Sequence, residues 1–364
     1  MSTAATRVKK QLLITGSISL LIFLLGLNSA LTERIYSAFF YKYLSLFLRF
    51  ISSIVPFALG DVLYVLLIVF WIFLLVNFFK KLKAQNFSKK LIFLAPFQFL
   101  NFTLILYIAF KLLWGLNYFR PSVAMQLGIG NEKYTAEQLV ALGELLIEEN
   151  NSIQSERLKV QVPSQQQYST KELEKLATAA YNHMEAKHPF FAYRQPAMKK
   201  VFNTLLVTKI GIEGYYNPIS AEANVNMRIP AHGLPFVACH EIAHQLGVGR
   251  EDEANLIGYL VARNSEDLNF RYSANYSILR SVLFEIRFKA PEVYEKLIEK
   301  INPETILDFK RDKAFWMKYN SDMYAYMDVA LDSFLKLNNQ KKGINSYQDI
   351  VIWVYNLKKD QLKL

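Results

Sequence analysis

The sequence predicts a mainly α-helical chain, with three N-terminal transmembrane helices followed by an α+β domain that contains a small sheet. Three observations predict it. Apolar residues make up 52% of the 364 residues and mean hydropathy is +0.12, with the excess concentrated before residue 119 in three long stretches. From Phe119 onward charged and polar residues become frequent, and apolar residues recur at helical spacing between capping signals. Within that second part, Val201 to Thr208 is the best strand candidate, because it joins β-branched and aromatic residues.

Each apolar stretch approaches or exceeds the roughly 20 residues needed to cross a bilayer. The first runs over 12–31 without a charge, and the second over 55–79, interrupted only by Asp61. The third covers 91–118 and carries Lys111 near its far end, where a long side chain can reach the headgroups. Residues 1–118 therefore form an anchor and 119–364 a separate domain. The first stretch also resembles a signal peptide, with Arg7, Lys9 and Lys10 before it and Ala30 near its end. Its apolar length and the two spans that follow favour retention.

Flanking charge sets orientation. Arg7, Lys9 and Lys10 precede the first span, and Lys80, Lys81, Lys83, Lys89 and Lys90 join the second to the third with no acidic residue. Both segments should be cytoplasmic, which puts everything after Tyr118 outside. The connection from Thr32 to Ile54, rich in aromatic residues and leucine, reads as an amphipathic helix along the outer membrane surface. The net charge of +11 raises nucleic acid as a partner, but membrane topology accounts for these basic residues. No helix-turn-helix or zinc-finger spacing supports DNA binding, so nucleic acid is excluded as a partner. Cys239 is the single cysteine, which rules out an intrachain disulfide and an all-thiolate zinc site.

In the domain, Thr135 with Gln138 and Ser169 with Glu172 read as capping boxes opening two helices, the second ending at His188-Pro189. Leu158 to Gln167 reads as a loop. Gly211, Gly214, Asn217 and Pro218 mark turns, and Ala221 to Ile229 a further extended segment. Beyond Phe236 the chain reads as helical to its end, with breaks near Pro291, Pro303 and Gly343.

Residues 240–244 read His-Glu-Ile-Ala-His. On a helix, positions i and i+4 share a face, so His240 and His244 can bind one metal, with Glu241 placed to take a proton from a water there. Zinc suits this set, since it lowers the pKa of a bound water to about 7. Cys239 is adjacent in sequence but points about 100° away, so it reads as a packed thiol. A catalytic zinc needs a third protein ligand, and Glu251-Asp252-Glu253-Ala254-Asn255 follows a turn at Gly247 and Gly249. Ala254, Gly258 and Ala262 form a small-residue stripe that lets one helix approach another. Glu251 lies on that stripe, whereas Glu253 lines up with Leu256, Ile257 and Leu260. Periodicity favours Glu251 over Glu253 as ligand and Asn255 as its supporting neighbour. A solvated acidic helix start would also satisfy these carboxylates.

His-Glu-x-x-His followed by Glu-x-x-Ala-Asn resembles the gluzincin class of metallopeptidases. That resemblance implies a zincin-like domain with Glu251 as glutamate ligand and Asn255 at the matching polar position. The interval from His244 to Glu251 is much shorter than in thermolysin-like or prenyl-protease-like enzymes. A metzincin assignment fails, because the third histidine position is Arg250. Over the whole chain, Trp114-Gly115-Leu116-Asn117-Tyr118, Gly214-Tyr215-Tyr216-Asn217-Pro218, the His-Glu motif through Asn255, and Gly343 to Tyr347 resemble a family of uncharacterised bacterial membrane proteins of unknown function. This resemblance implies a bacterial cytoplasmic (inner) membrane and brings no substrate.

Weaker candidates stand beside these. Ala223 to Asn226 is a candidate edge strand for binding substrate backbone. Tyr272 or Tyr276 could stabilise an oxyanion, although core packing explains either. His183 and His188 lie where helix capping suffices, and His232 precedes the metal helix in a loop. The expected function is a zinc metallopeptidase acting on a peptide or protein substrate, with a non-catalytic zinc-containing receptor or scaffold as the alternative. Intramembrane proteolysis requires the motif inside a span, yet Arg228, Arg250 and the acidic cluster flank it closely.

Overall fold

A computed structural model describes residues 3–83, 89–162, 166–319 and 322–362. The lysine-rich segment expected between the second and third spans lies partly outside these residues, as does the middle of the expected loop at 158–167. Three helices are long and apolar enough to cross a membrane, over Ala5–Gly26, Leu59–Asn77 and Phe93–Leu113. At most 11% of each apolar window is buried against the protein, so these helices present apolar side chains outward. The chain is membrane-associated on this basis.

The first of these helices is α1 (Thr3–Gly26), which packs against the third, and Thr15 Oγ1 donates to Asn101 Oδ1 across the pair at 2.8 Å. The expected span to Leu31 ends early, because the Asn28 side chain accepts from Leu31 N at 2.9 Å and starts a new turn, α2 (Ser29–Leu31). A π-helical stretch, Thr32–Tyr41, leads into α3 (Lys42–Ser53). The expected amphipathic character is present, with the polar face against the protein and the apolar face outward. Ser37, Tyr41, Ser45, Arg49 and Ser52 are buried against the protein, while Phe39, Phe47, Phe50 and Ile54 are exposed. Helices α4 (Leu59–Lys83) and α5 (Lys89–Leu113) follow. The third apolar helix stops at Leu113, and Gly115 opens a 3-10 turn (Gly115–Phe119), since a Cβ there would sit 2.4 Å from the Phe110 ring.

After α6 (Val123–Gln126), α7 (Ala136–Lys159) begins with a reciprocal box in which Thr135 and Gln138 each accept from the other's backbone. Helix α7 continues past Leu158, where a loop was expected. Ser169 Oγ accepts from Glu172 N at 3.1 Å and opens α8 (Thr170–Glu185). The next segment corrects the strand expectation. Strand β1 (Met198–Lys200) ends before Val201, and Asn203 caps a short helix, α9 (Thr204–Lys209), by accepting from Leu206 N. A local cap thus prevails over β-branched composition. Gly211 takes φ +78 at the following turn, but Gly214–Asn217, read as turns, is strand β2. Strand β3 (Glu222–Val225) lies within the expected extended segment. The sheet order is β1-β3-β2, with β3 parallel to β1 and antiparallel to β2.

The remaining chain is helical as expected: α10 (Leu234–Gln245), α11 (Glu251–Arg263), α12 (Leu268–Lys289), α13 (Pro291–Glu299), α14 (Pro303–Tyr319), α15 (Asp322–Leu337) and α16 (Ile350–Lys358). Breaks fall at Pro291, Pro303 and a 3-10 turn over Gly343–Asp349. The main core, built from α7, α8, α10, α11, α12 and α16, includes Cys239, Ile242, Leu256, Tyr259, Phe270 and Leu279.

Polar contacts fix the sheet to the apolar helices. The Glu222 carboxylate accepts from Leu59 N at 2.9 Å and Gly60 N at 2.8 Å, capping α4 from the end of β3. Tyr215 donates to Asp61 at 2.6 Å, and Lys199 donates to Val55 O at 2.6 Å. Arg120 forms a two-pronged pair with Glu33 at 2.6 and 2.7 Å and also reaches Gly247 O at 3.0 Å.

Candidate metal centre

The metal helix α10 is buried on nearly every side, and its position is set by Gln245. That side chain accepts from Tyr193 Oη at 2.7 Å and donates to Ala197 O at 3.1 Å and Ala221 O at 2.7 Å. One amide therefore ties α10 to the residues that lead into β1 and β3 and, through its oxygen, to Tyr193. From the opposite side, Tyr41 Oη lies 3.2 Å from His244 O, and Ser45 Oγ donates to Gln245 O at 3.1 Å.

His240 and His244 project from one face with their rings at 88° to each other and their Nε2 atoms 3.1 Å apart. Glu251 Oε2 stands 3.3 Å from His240 Nε2 and 3.4 Å from His244 Nε2. These three are the group among the described residues that could hold a metal. Ligand atoms around a tetrahedral zinc at roughly 2.0–2.1 Å would be roughly 3.3–3.4 Å apart, so the spacing fits such an ion, as does the two-nitrogen, one-carboxylate set. His244 Nδ1 lies 2.7 Å from Val248 O, a contact that places its proton there and turns the Nε2 lone pair inward.

Three glycines make this arrangement sterically accessible. Gly247 has φ +83 at the end of α10. A Cβ on Gly249 would lie 2.9 Å from the backbone of Asn117 and Tyr118. Gly258, in the small-residue stripe, would place one 3.1 Å from His240 N. The stripe thus brings α11 against the metal helix and delivers Glu251 from its first turn. Glu253 is 1% exposed and points away, with Arg250 Nη1 3.8 Å from it.

The Glu251 carboxylate outweighs burial at His244 and raises the imidazole, and the two imidazoles in turn hold Glu251 well below the usual carboxylate range. Burial lowers His240. Glu241 is pushed up to about 8 by burial, against the pull of His244. Its Oε2 is buried without a hydrogen-bond partner among the described residues. Its Oε1 would lie 2.6 Å from a Cβ on Gly214, so a side chain at that strand position would displace the Glu241 carboxylate.

These residues line a cleft of 1330 Å³ together with β2. Asn226 N donates to Glu213 O at 2.9 Å. In the alternating antiparallel pattern, Tyr215 and Asn217 therefore face β3 as well. Gly214 and Tyr216 turn their backbone N–H and C=O to the open edge. The candidate edge strand at Ala223–Asn226 is corrected accordingly: β3 is central, and β2 is the edge beside Glu241.

The other candidates separate clearly. Asn255 faces His240. Tyr272 is wholly buried and donates to Asp308 at 2.8 Å, which leaves it in the core. Tyr276 borders the cleft but donates to Asp312 at 2.5 Å. His232 Nε2 is 2.9 Å from Asp312 Oδ1, away from the triad. His183 is exposed, and His188 caps a 3-10 turn by accepting from Phe190 N. Burial raises the Cys239 thiol, in keeping with a packed side chain. Sequence reasoning assigned no role to Trp114, whose ring meets His244 edge-on at 5.7 Å, or to Tyr347, which hydrogen-bonds Glu251. Both lie far from the His-Glu motif in sequence, in segments that carry the family resemblance but give no sign that they meet the triad.

No curated protein and no solved structure matches the chain. The family described as "Protein of unknown function (DUF3810)" matches residues 36–355, from the π-helical stretch to the last long helix, and the chain belongs to that family.

Proposed function

We propose that the protein is a membrane-anchored zinc metallopeptidase with a zincin-like site that faces the outer side of a bacterial cytoplasmic membrane. The observation that carries this reading is the convergence of His240, His244 and Glu251 at 3.1–3.4 Å beside a buried Glu241. The two histidines and Glu251 would hold the ion. Zinc bound there supplies Lewis acidity toward a carbonyl and a water.

The chain's own residues do the rest. The open edge of β2 pairs with an extended peptide through Gly214 and Tyr216, which sets the scissile carbonyl beside the triad. Glu241 takes the proton from the attacking water and gives it to the departing amine. Trp114 and Phe236 wall the histidines and exclude bulk water. The orientation rests on Arg7, Lys9 and Lys10 before the first span.

The test uses full-length protein in lipid vesicles, with Glu241→Gln beside wild type. Wild type should bind one zinc and cleave peptides, while the variant should keep zinc and lose at least about a thousandfold in rate, of the order expected when a base acts with other groups. Zinc retention with equal cleavage in both proteins would overturn Glu241 as base. Zinc retention with no cleavage by wild type would leave the receptor or scaffold reading.

A further inference from the structure

The cleft that contains the metal triad does not stop at the domain. It is also lined by Tyr64 and Phe110, residues inside the second and third apolar helices. Tyr64 lies five residues into Leu59–Asn77, and Phe110 lies three residues before the end of Phe93–Leu113. At about 1.5 Å per residue, the wall descends roughly 5–8 Å below the ends of both helices. Phe334 of α15 extends the same apolar wall, with its ring 5.8 Å from that of Phe110 and 6.2 Å from that of Tyr118.

Two further features put this wall at the bilayer surface. Helix α3 buries Ser45 and Arg49 against the domain and turns Phe47, Phe50 and Ile54 outward. Its apolar residues are exposed, as are those of the three apolar helices, while Tyr41 and Ser45 touch the backbone of the metal helix itself. The edge strand is also held to the second apolar helix, through Tyr215 and Asp61 at 2.6 Å. A chain added to β2 would thus lie within one side chain of a membrane-crossing helix.

We infer that the substrate is a polypeptide held in the outer leaflet by an apolar anchor, either a transmembrane segment or an acyl chain, and cut within a few residues of that anchor. This rests on the peptidase reading and adds the route: the anchor stays in the bilayer beside Tyr64 and Phe110, and the juxtamembrane residues rise along β2 to the triad. A peptide arriving from water has no use for a wall sunk between span helices.

The test uses the full chain in phosphatidylethanolamine–phosphatidylglycerol vesicles. The probes are randomised ten-residue segments joined to a leucine-alanine transmembrane helix or to a diacylated cysteine, each through 3 or 20 spacer residues, with the unanchored segments as comparison. Three spacer residues reach roughly 10 Å, and 20 reach roughly 65–70 Å. Zinc-loaded wild type should cleave the short-spacer probes at least tenfold faster than the free segments. In parallel, Glu241→Gln carrying Tyr64→p-benzoylphenylalanine should crosslink the short-spacer probes on illumination. The same photoprobe at Phe288, outside the cleft, should not. Equal cleavage of free and anchored segments, or no crosslink at Tyr64, would overturn the route. Crosslinking at Tyr64 without cleavage by wild type would sustain the route and remove the peptidase reading. The two anchor types separate the sources of substrate.

Discussion

Gly258 lies directly against His240. A methyl group at residue 258 would sit 3.1 Å from His240 N and 3.3 Å from its Cα, with only backbone to yield. The separation of α10 and α11, and with it the reach of Glu251 to the two imidazoles, is therefore set by one missing side chain. Gly258→Ala should push the helices apart by a few tenths of an ångström. Overpacking of this kind costs about 1–3 kcal/mol. Zinc affinity, read by competition with a chromogenic chelator, should fall about tenfold or more. Unchanged affinity would show that the helix spacing has slack.

The two neighbouring glutamates should part completely in their effect on metal. Glu251 makes contacts of 3.3 and 3.4 Å to the histidine nitrogens, whereas Glu253 faces Arg250. Loss of a supporting neighbour costs roughly 10–100-fold in metal affinity, so Glu251→Ala, which removes the proposed third ligand, should cost more than about 100-fold. Glu253→Ala should retain zinc nearly fully. Metal analysis of the two purified proteins side by side checks this, and the reverse pattern would transfer the ligand role to Glu253.

Much of this centre is legible in sequence, because its parts are local. The i, i+4 histidines, the glycine turn and the Ala254–Gly258–Ala262 stripe each follow from helical periodicity, and all fall within one helix–turn–helix. The parts that were not legible come from distant segments. Tyr41, Trp114 and Tyr347 reach the site only through tertiary packing; Trp114 and Tyr347 fall in segments that carry the family resemblance, but nothing there shows that they meet the triad. The sheet was misplaced for a related reason. Its strands are three or four residues long, too short for alternation to show, and an Asn203 cap turned the best-looking strand segment into a helix. The inward polar face of α3 was hidden too. Aromatic richness marked an amphipathic helix, but only the contacts of Tyr41 and Ser45 with α10 explain which face turns in.

Asp252 gives the protein a pH-dependent stability separate from the metal triad. Burial, with Glu253 beside it, raises its carboxyl to about 6 from 3.8, although Trp353 Nε1 donates to it at 2.8 Å. The folded state thus holds a proton more tightly than the unfolded chain. That contribution is present below about pH 4 and is lost as pH rises through about 6. The shift sets an upper bound of about 3 kcal/mol. Asp252→Asn keeps an acceptor for Trp353 and removes the titration. Its melting temperature should exceed that of wild type at pH 7.5, and the two should converge near pH 4. A constant difference across that range would assign the effect to packing alone.

Zinc binding should release a proton. Glu251 raises His244, and the imidazoles lower Glu251, so at neutral pH the metal-free triad keeps a proton on His244 in the field of the carboxylate. A dication coordinated by both imidazole Nε2 atoms must displace it, since coordination needs the lone pair. The contact from His244 Nδ1 to Val248 O at 2.7 Å persists in either state, because that nitrogen carries its hydrogen in both. Titration calorimetry between pH 7 and 8, in buffers of different ionisation enthalpy, should therefore report about one proton released per zinc. Apparent affinity should weaken as pH falls through this range. Glu251→Gln abolishes the charge that raises His244, so proton release should fall toward zero even where residual zinc binding is measurable. Proton release that survives this substitution would assign the displaced proton to another group, with Glu241 the first to examine.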